Sequence, residues 1–309
     1  MINRGIIRNK VVQLTYAYYL NGNNNIESAE KELFFSLSKA YDLYNYLLAL
    51  IPAITQEARK HYEVAEAKAI REGGDKPSQR FILNRLALQR EENVMLTDFI
   101  THQTNIWKEE ADFIYKLFLQ IQDSSIYKEY LTSDDDNYDA DREVWRKIYR
   151  TLIQDNEKLD HILEERSLYW NDDKSVVDTF VIKTIKKFDQ KMGANQPLLE
   201  EYSSDDDRDF ARRLYRATII NGTEYQRYMS EMSQNWNFNR LAYMDIVIMQ
   251  IAIAELLTFP NIPISVTINE YVEIAKHYST PRSGSYINGM LDNIARKLTD
   301  TGKILKPYK

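Results

Sequence analysis

The chain has 309 residues, 44% of them hydrophobic, and a formal charge of −6, enough material for one large domain or two smaller ones. It contains no cysteine, which excludes disulfides and thiolate metal sites and points to a reducing, cytoplasmic setting. No apolar run approaches the ~20 residues needed to cross a bilayer, and the opening MINRGIIRNK lacks the apolar core and cleavage site of a signal peptide, so no membrane partner is expected.

Only 9 Gly and 7 Pro are present, well below the usual combined share of about 12%. Few turn residues and long periodic stretches predict an all-α protein. The charge is unevenly spread. Residues 1–26 carry +3 (Arg4, Arg8, Lys10) and residues 276–309 carry +5, leaving −14 for the stretch between. Two basic ends on an acidic body suit a surface facing a polyanion, or they are solvated tails.

In chain order, a first helix is expected from about Asn3 to Leu20, stopped by NGNNN at 21–25. Ile7, Val11, Leu14 and Tyr18 share one face of it, and Arg4 and Arg8 another. Long helical patterns follow over 27–72 and 78–122, separated by EGGDKP, with Pro52 expected to kink or divide the first. Two acidic runs, TSDDDNYDAD (132–141) and SSDDDRD (203–209), read as helix starts. A calcium-loop reading of the first fails, because Ala140 stands where Gly is needed and Arg146 where Glu is needed. RKIYRTLI (146–153) faintly echoes RRLYRATI (212–219), as a duplicated unit or as two unrelated amphipathic helices would. From Trp236 onward the pattern sharpens. Leu241, Met244, Ile248, Ile251 and Ala252 trace a stripe on a helix that is apolar nearly all round and so belongs at a bundle centre. FPNIP (259–263) ends it, a helix burying Ile268, Tyr271 and Ala275 follows, and STPRSGS (279–285) leads into a last helix.

These last segments resemble the C-terminal half of the NusB family of transcription antitermination factors. The resemblance is carried by Trp236, Arg240-Leu241, Asp245, Ala252, Glu255-Leu256, Ile262-Pro263, Ile268-Asn269-Glu270, Ala275-Lys276 and YINGMLD at 286–292. RNKVVQLTYAYYLNG near the start resembles the family's basic first helix. The resemblance spans roughly 1–25 and 205–305. It implies a NusB-like all-α bundle of two packed helical subdomains, with 1–25 as its N-terminal helix, 205–309 as its C-terminal region and 26–204 as a helical insertion. It further implies binding to the boxA element of ribosomal RNA operon transcripts, together with the small-subunit ribosomal protein NusE, within the RNA polymerase antitermination complex. No cofactor, DNA or catalysis is implied.

The residues matching the family's RNA-facing positions are Arg4, Arg8, Lys10 and Gln13 on the first helix, and Arg282, Ser283, Ser285 and Tyr286 before and at the start of the last. Guanidinium and ammonium groups suit phosphates, a helix start offers unpaired N–H groups, and a Tyr ring can stack on an unpaired base. The plainer alternatives are solvated charge, a serine helix cap and an inward-packed ring. Tyr16 and Asp245 match positions near the ribosomal-protein contact. Asn269, Asn288 and Gly289 read as architectural, Gly289 permitting close helix approach and Asn288 bonding across it.

Enzyme readings find little. The four His are scattered, with no metal-ligand spacing, phosphate loop or nucleophile elbow. NusB-like domains also occur in some RNA methyltransferases, but the strand–helix alternation and Gly-rich loop of the catalytic domain are absent from this sequence. The expectation is an antitermination factor, or alternatively a NusB-fold protein–protein adaptor without sequence-specific RNA binding.

Overall fold

The computed structural model describes residues 1–22, 25–232 and 241–306; Trp236, Arg240 and Lys309 lie outside the described residues. The described chain is built of helices, with one isolated parallel bridge between Ile2 and Tyr202. In order these are α1 (Arg4–Leu20), α2 (Ile26–Glu72), α3 (Arg85–Glu91), α4 (Val94–His102), α5 (Ile106–Glu109), α6 (Ala111–Asp123), α7 (Ser125–Thr132) and α8 (Tyr138–Ile148). A π-helical turn (Tyr149–Ile153), α9 (Glu157–Arg166), α10 (Lys174–Lys187) and a 3₁₀ turn (Gln190–Asn195) follow. The chain continues through α11 (Asp205–Ile220), α12 (Gly222–Met232), α13 (Tyr243–Thr258), α14 (Ile264–Tyr278) and α15 (Ser283–Asp300). The all-α expectation holds. No described helix is long and apolar enough to cross a membrane.

The chain divides into two compact units, one formed by Met1 and Lys39–Glu200, the other by Ile2–Ser38 and Glu201–Lys309.

In the unit formed by 39–200, the sequence reading needs two corrections. Pro52 does not divide α2, which runs through it as one helix. The pattern over 78–122 is not one long helix, because Asn84 and Asn93 interrupt it. Each caps a new short helix, accepting from Ala87 N at 3.0 Å and from Leu96 N at 3.1 Å. A short amide side chain that satisfies the backbone locally favours a helix start over a helix interior. The core gathers Tyr44, Phe81, Phe118, Trp145 and Tyr149. Buried polar atoms are tied across it. Tyr130 donates to Asp141 at 2.6 Å, Tyr149 to Asp178 at 2.6 Å, and Trp107 Nε1 to the Tyr46 carbonyl at 2.8 Å. Arg90 is buried with its guanidinium 4.8 Å from the Phe188 ring centre, and burial pushes its pKa down to about 10. The first half of the RKIYRTLI echo ends in the π-helical turn, whereas RRLYRATI lies in regular α11, so the two share a pattern but not a backbone.

In the other unit α13 is the centre. It packs against α1, α11, α12, α14 and α15, and Val247 to Leu256 are buried without a break. Burying each Ile, Val or Leu there contributes about 1.5–3 kcal/mol. Asn3 caps α1 through Ile6 N at 3.2 Å, and α11 opens with Asp205, Asp206 and Asp207 in its first turn, where the helix dipole favours acids. Gln250 is the polar knot of α13: its amide donates to Tyr19 Oη at 2.8 Å and the Thr218 carbonyl at 2.9 Å, and accepts from Gln226 at 3.1 Å.

Gly222, at the start of α12, lies against that knot. A Cβ there would stand 2.5 Å from Tyr19 Oη and 2.8 Å from Gln250 Nε2. Gly222→Ala should therefore push Gln250 out of its hydrogen bonds and cost about 1–3 kcal/mol, read as a lower midpoint in urea unfolding. An unchanged midpoint would mean that the knot relaxes freely.

Candidate functional site

Arg8 points inward from α1. Its guanidinium makes a two-pronged pair with the Glu255 carboxylate, at 2.8 and 2.9 Å, and reaches Glu270 at 3.1 Å. Glu255 is fully buried and also accepts from Thr267 Oγ1 at 2.9 Å and Tyr271 Oη at 2.9 Å. Burial works against the charge on Arg8, but the Glu255 hydrogen bond and the neighbouring carboxylates outweigh it and raise the pKa above the ordinary value. Tyr271 is pushed up well above the usual phenol range, by burial and then by Glu255. This is a structural hub, and it corrects the expectation that Arg8 meets phosphate. Lys10 is buried as well, only 1% exposed, which removes it from the surface set. Of the three basic residues of α1, Arg4 alone is exposed. It lies 3.6 Å from Asp207 and 5.1 Å above the Phe210 ring.

A second cluster forms where α13 begins and α14 hands over to α15. Asp245, only 5% exposed, accepts from Ser279 Oγ on one carboxylate oxygen and from Ser283 Oγ, at 2.9 Å, on the other. Ser283 also pairs with Thr280 Oγ1 at 2.8 Å. One buried carboxylate thus fixes the loop that presents Arg282, Ser285 and Tyr286. Arg282 and Ser285 are exposed and Tyr286 is half-buried, its pKa raised by burial and by Asp245. No side chain caps α15; its first N–H, that of Ser283, donates to the Thr280 carbonyl at 3.0 Å, and Ser283 and Gly284 are buried. On α1, Gln13 donates to Tyr278 Oη at 2.8 Å, and the Tyr16 and Tyr243 rings lie 5.5 Å apart. Tyr243, 40% exposed, sits two residues before Asp245.

The structure therefore brings Gln13, Tyr16, Asp245, Arg282, Ser283, Ser285 and Tyr286 into the α1, α13 and α14–α15 elements of one unit, while Arg4 stands about 13 Å along α1 from Gln13 at 1.5 Å per residue. Sequence reasoning missed Tyr243, Tyr278 and Ser279. It also gave Glu255 no role beyond the resemblance, although an acid inside the apolar run Ile246–Leu257 needs a buried partner. Asn269, Asn288 and Gly289 are all exposed. No atom lies within 4 Å of a Cβ built on Gly289, so the expected close helix approach does not occur there.

The NusB family model matches residues 177–296. The transcription antitermination protein NusB of Salinibacter ruber is 40% identical over 110 residues, 36% of this chain and 67% of that protein. The NusB protein of Geotalea daltonii is 36% identical over 135 residues, covering 44% of this chain and 90% of the relative. The chain belongs to the NusB family. Among solved structures, T. maritima NusB is 33% identical, covering 40% of this chain and 87% of that one, with a TM-score of 0.31. More than half of this NusB family member lies outside each of these matches.

Removing Arg8 from the NusB bundle leaves a buried, unpaired carboxylate. Arg8→Met should cost about 3–5 kcal/mol, and adding Glu255→Leu should recover much of it. Equilibrium unfolding of the two variants checks this. Equal losses in the single and double variants would show that Glu255 is not the group Arg8 neutralises.

Proposed function

We propose that this chain is a cytoplasmic transcription antitermination factor. In this reading it binds boxA-type RNA of ribosomal RNA operon transcripts together with the small-subunit ribosomal protein NusE, as part of the RNA polymerase antitermination complex. The observation that carries the reading is the 36% identity to a transcription antitermination protein along 90% of its length. The geometry supports it in kind. Arg282, exposed at the start of α15, offers charge to a phosphate, Tyr286 offers a ring for stacking, and Gln13, bonded to Tyr278, lies on the α1 side of the same unit. Tyr16 and Tyr243 form the neighbouring aromatic surface for a protein partner. Asp245 serves that surface indirectly, by holding Ser279 and Ser283.

One observation favours the second reading, a NusB-fold adaptor without RNA sequence preference. Burial of Arg8 and Lys10 leaves the first helix a single exposed cation, already beside Asp207.

The test is anisotropy of a labelled boxA-type RNA against a scrambled RNA of equal length, with and without the ribosomal protein. The expected result is preference for boxA, strengthened by the ribosomal protein. Tyr286→Ala should lose about 1–3 kcal/mol of affinity, and Arg282→Glu should flatten the salt dependence by roughly 0.7 in the log–log slope. Equal affinity for both RNAs, unmoved by the ribosomal protein, would leave the adaptor.

A further inference from the structure

Residues 39–200 contain 23 Lys and Arg, and eleven of these lie within ion-pair distance of a carboxylate. Arg80 and Lys128 donate to backbone carbonyls, and Arg90 is buried. Nine exposed cations remain without a carboxylate among the described residues, and they are not scattered. Six of them, Lys147, Arg150, Lys183, Lys186, Lys187 and Lys191, belong to α8 with its π-helical turn and to α10 with the 3₁₀ turn behind it.

Two contacts bring these elements together. Tyr149 Oη donates to Asp178 at 2.6 Å, and Arg142 Nη1 donates to the Phe188 carbonyl at 3.0 Å, so α8 lies antiparallel to α10. On α10, Val177, Val181 and Ile185 face inward, and Lys183, Lys186 and Lys187, at i, i+3 and i+4, share the outward face. On α8, Trp145 and Ile148 face inward, and Lys147 and Arg150 look out.

A helix dipole accounts for lysines in a last turn, but not for six cations with no carboxylate at ion-pair distance among the described residues: Glu143, four before Lys147, pairs with Arg146, and Asp189, two before Lys191, accepts from the Lys191 backbone. The residues four positions before Lys183, Lys187 and Arg150 are Thr179, Lys183 and Arg146, where an acid would neutralise each. Like charges four apart weaken a helix. In a protein of net charge −6, a strip that keeps such repulsion is a polyanion surface rather than a general solubilising coat.

We propose that this strip is a sequence-blind phosphate contact for single-stranded RNA, gripping the transcript outside the element read by the Tyr286 face. The choice of RNA as the polyanion rests on the antitermination reading above. The strip itself is lysine-rich, which suits backbone phosphates rather than bases.

The experiment compares Lys183→Glu/Lys186→Glu/Lys187→Glu with a control triple, Lys60→Glu/Lys76→Glu/Lys116→Glu. The control changes net charge equally, at exposed positions already paired with carboxylates. Both are titrated with 40-nucleotide boxA-type and scrambled RNAs over a series of salt concentrations, with helicity checked by circular dichroism. The strip triple should bind both RNAs about tenfold or more weakly, by the same factor, with a log–log salt slope shallower by roughly 2, at about 0.7 per lost contact. The control should behave as wild type. Strip and control triples that bind alike, or a wild type that binds neither RNA but binds phosphatidylserine vesicles, would overturn the proposal. A wild type without boxA preference, whose strip triple still loses affinity and slope, would overturn the antitermination reading and leave the strip in place.

Discussion

The Arg8–Glu255 pair is the constraint on which the smaller of the two folding problems rests. A carboxylate buried in the last turn of an apolar helix is tolerable only if its charge is met and its lone pairs are filled. Arg8 supplies two N–H groups, and Thr267 and Tyr271 supply two hydroxyls, so helices α1, α13 and α14 must keep one register for the network to close. Aliphatic packing around α13 gives stability without fixing rotation or slide. The buried charges fix both, and so determine where Gln13 and Tyr16 emerge from α1.

Helix existence and type were legible in the sequence, since α1, α13, α14 and α15 carry strong periodicity and clear stops. Arg8 and Lys10 were misread because an arginine on a helix flank looks the same whether it meets water or a carboxylate 247 residues away. Local spacing holds no information on that partner. The break-up of 78–122 was missed for the opposite reason: the apolar period continues across Asn84 and Asn93, and only the local capping chemistry interrupts it. Asn288-Gly289 suggested a buried small-residue contact, whereas both residues are exposed on α15.

Asp245 shows how one residue can serve a surface without being on it. Its two oxygens hold Ser279 and Ser283, so the loop carrying Arg282, Ser285 and Tyr286 is ordered before any partner arrives. Preordering of this kind lowers the entropy lost on association. The NusB resemblance pointed to Asp245 as a contact residue, and the structure gives it the job of a brace.

The unit formed by Ile2–Ser38 and Glu201–Lys309 is split in sequence by residues 39–200 of the other unit. On a ribosome adding about 5–20 residues per second, Arg8 waits about 12–50 s for Glu255, 247 residues downstream. During that interval Ile6, Ile7, Val11 and Val12, all buried in the finished protein, have no α13 to cover them. Residues 39–200 meet no such delay and can collapse as soon as they emerge. The order of the segments thus sets a constraint: residues 39–200 can collapse before α13 exists, and the bundle around α1 can close only once α13–α15 have been made.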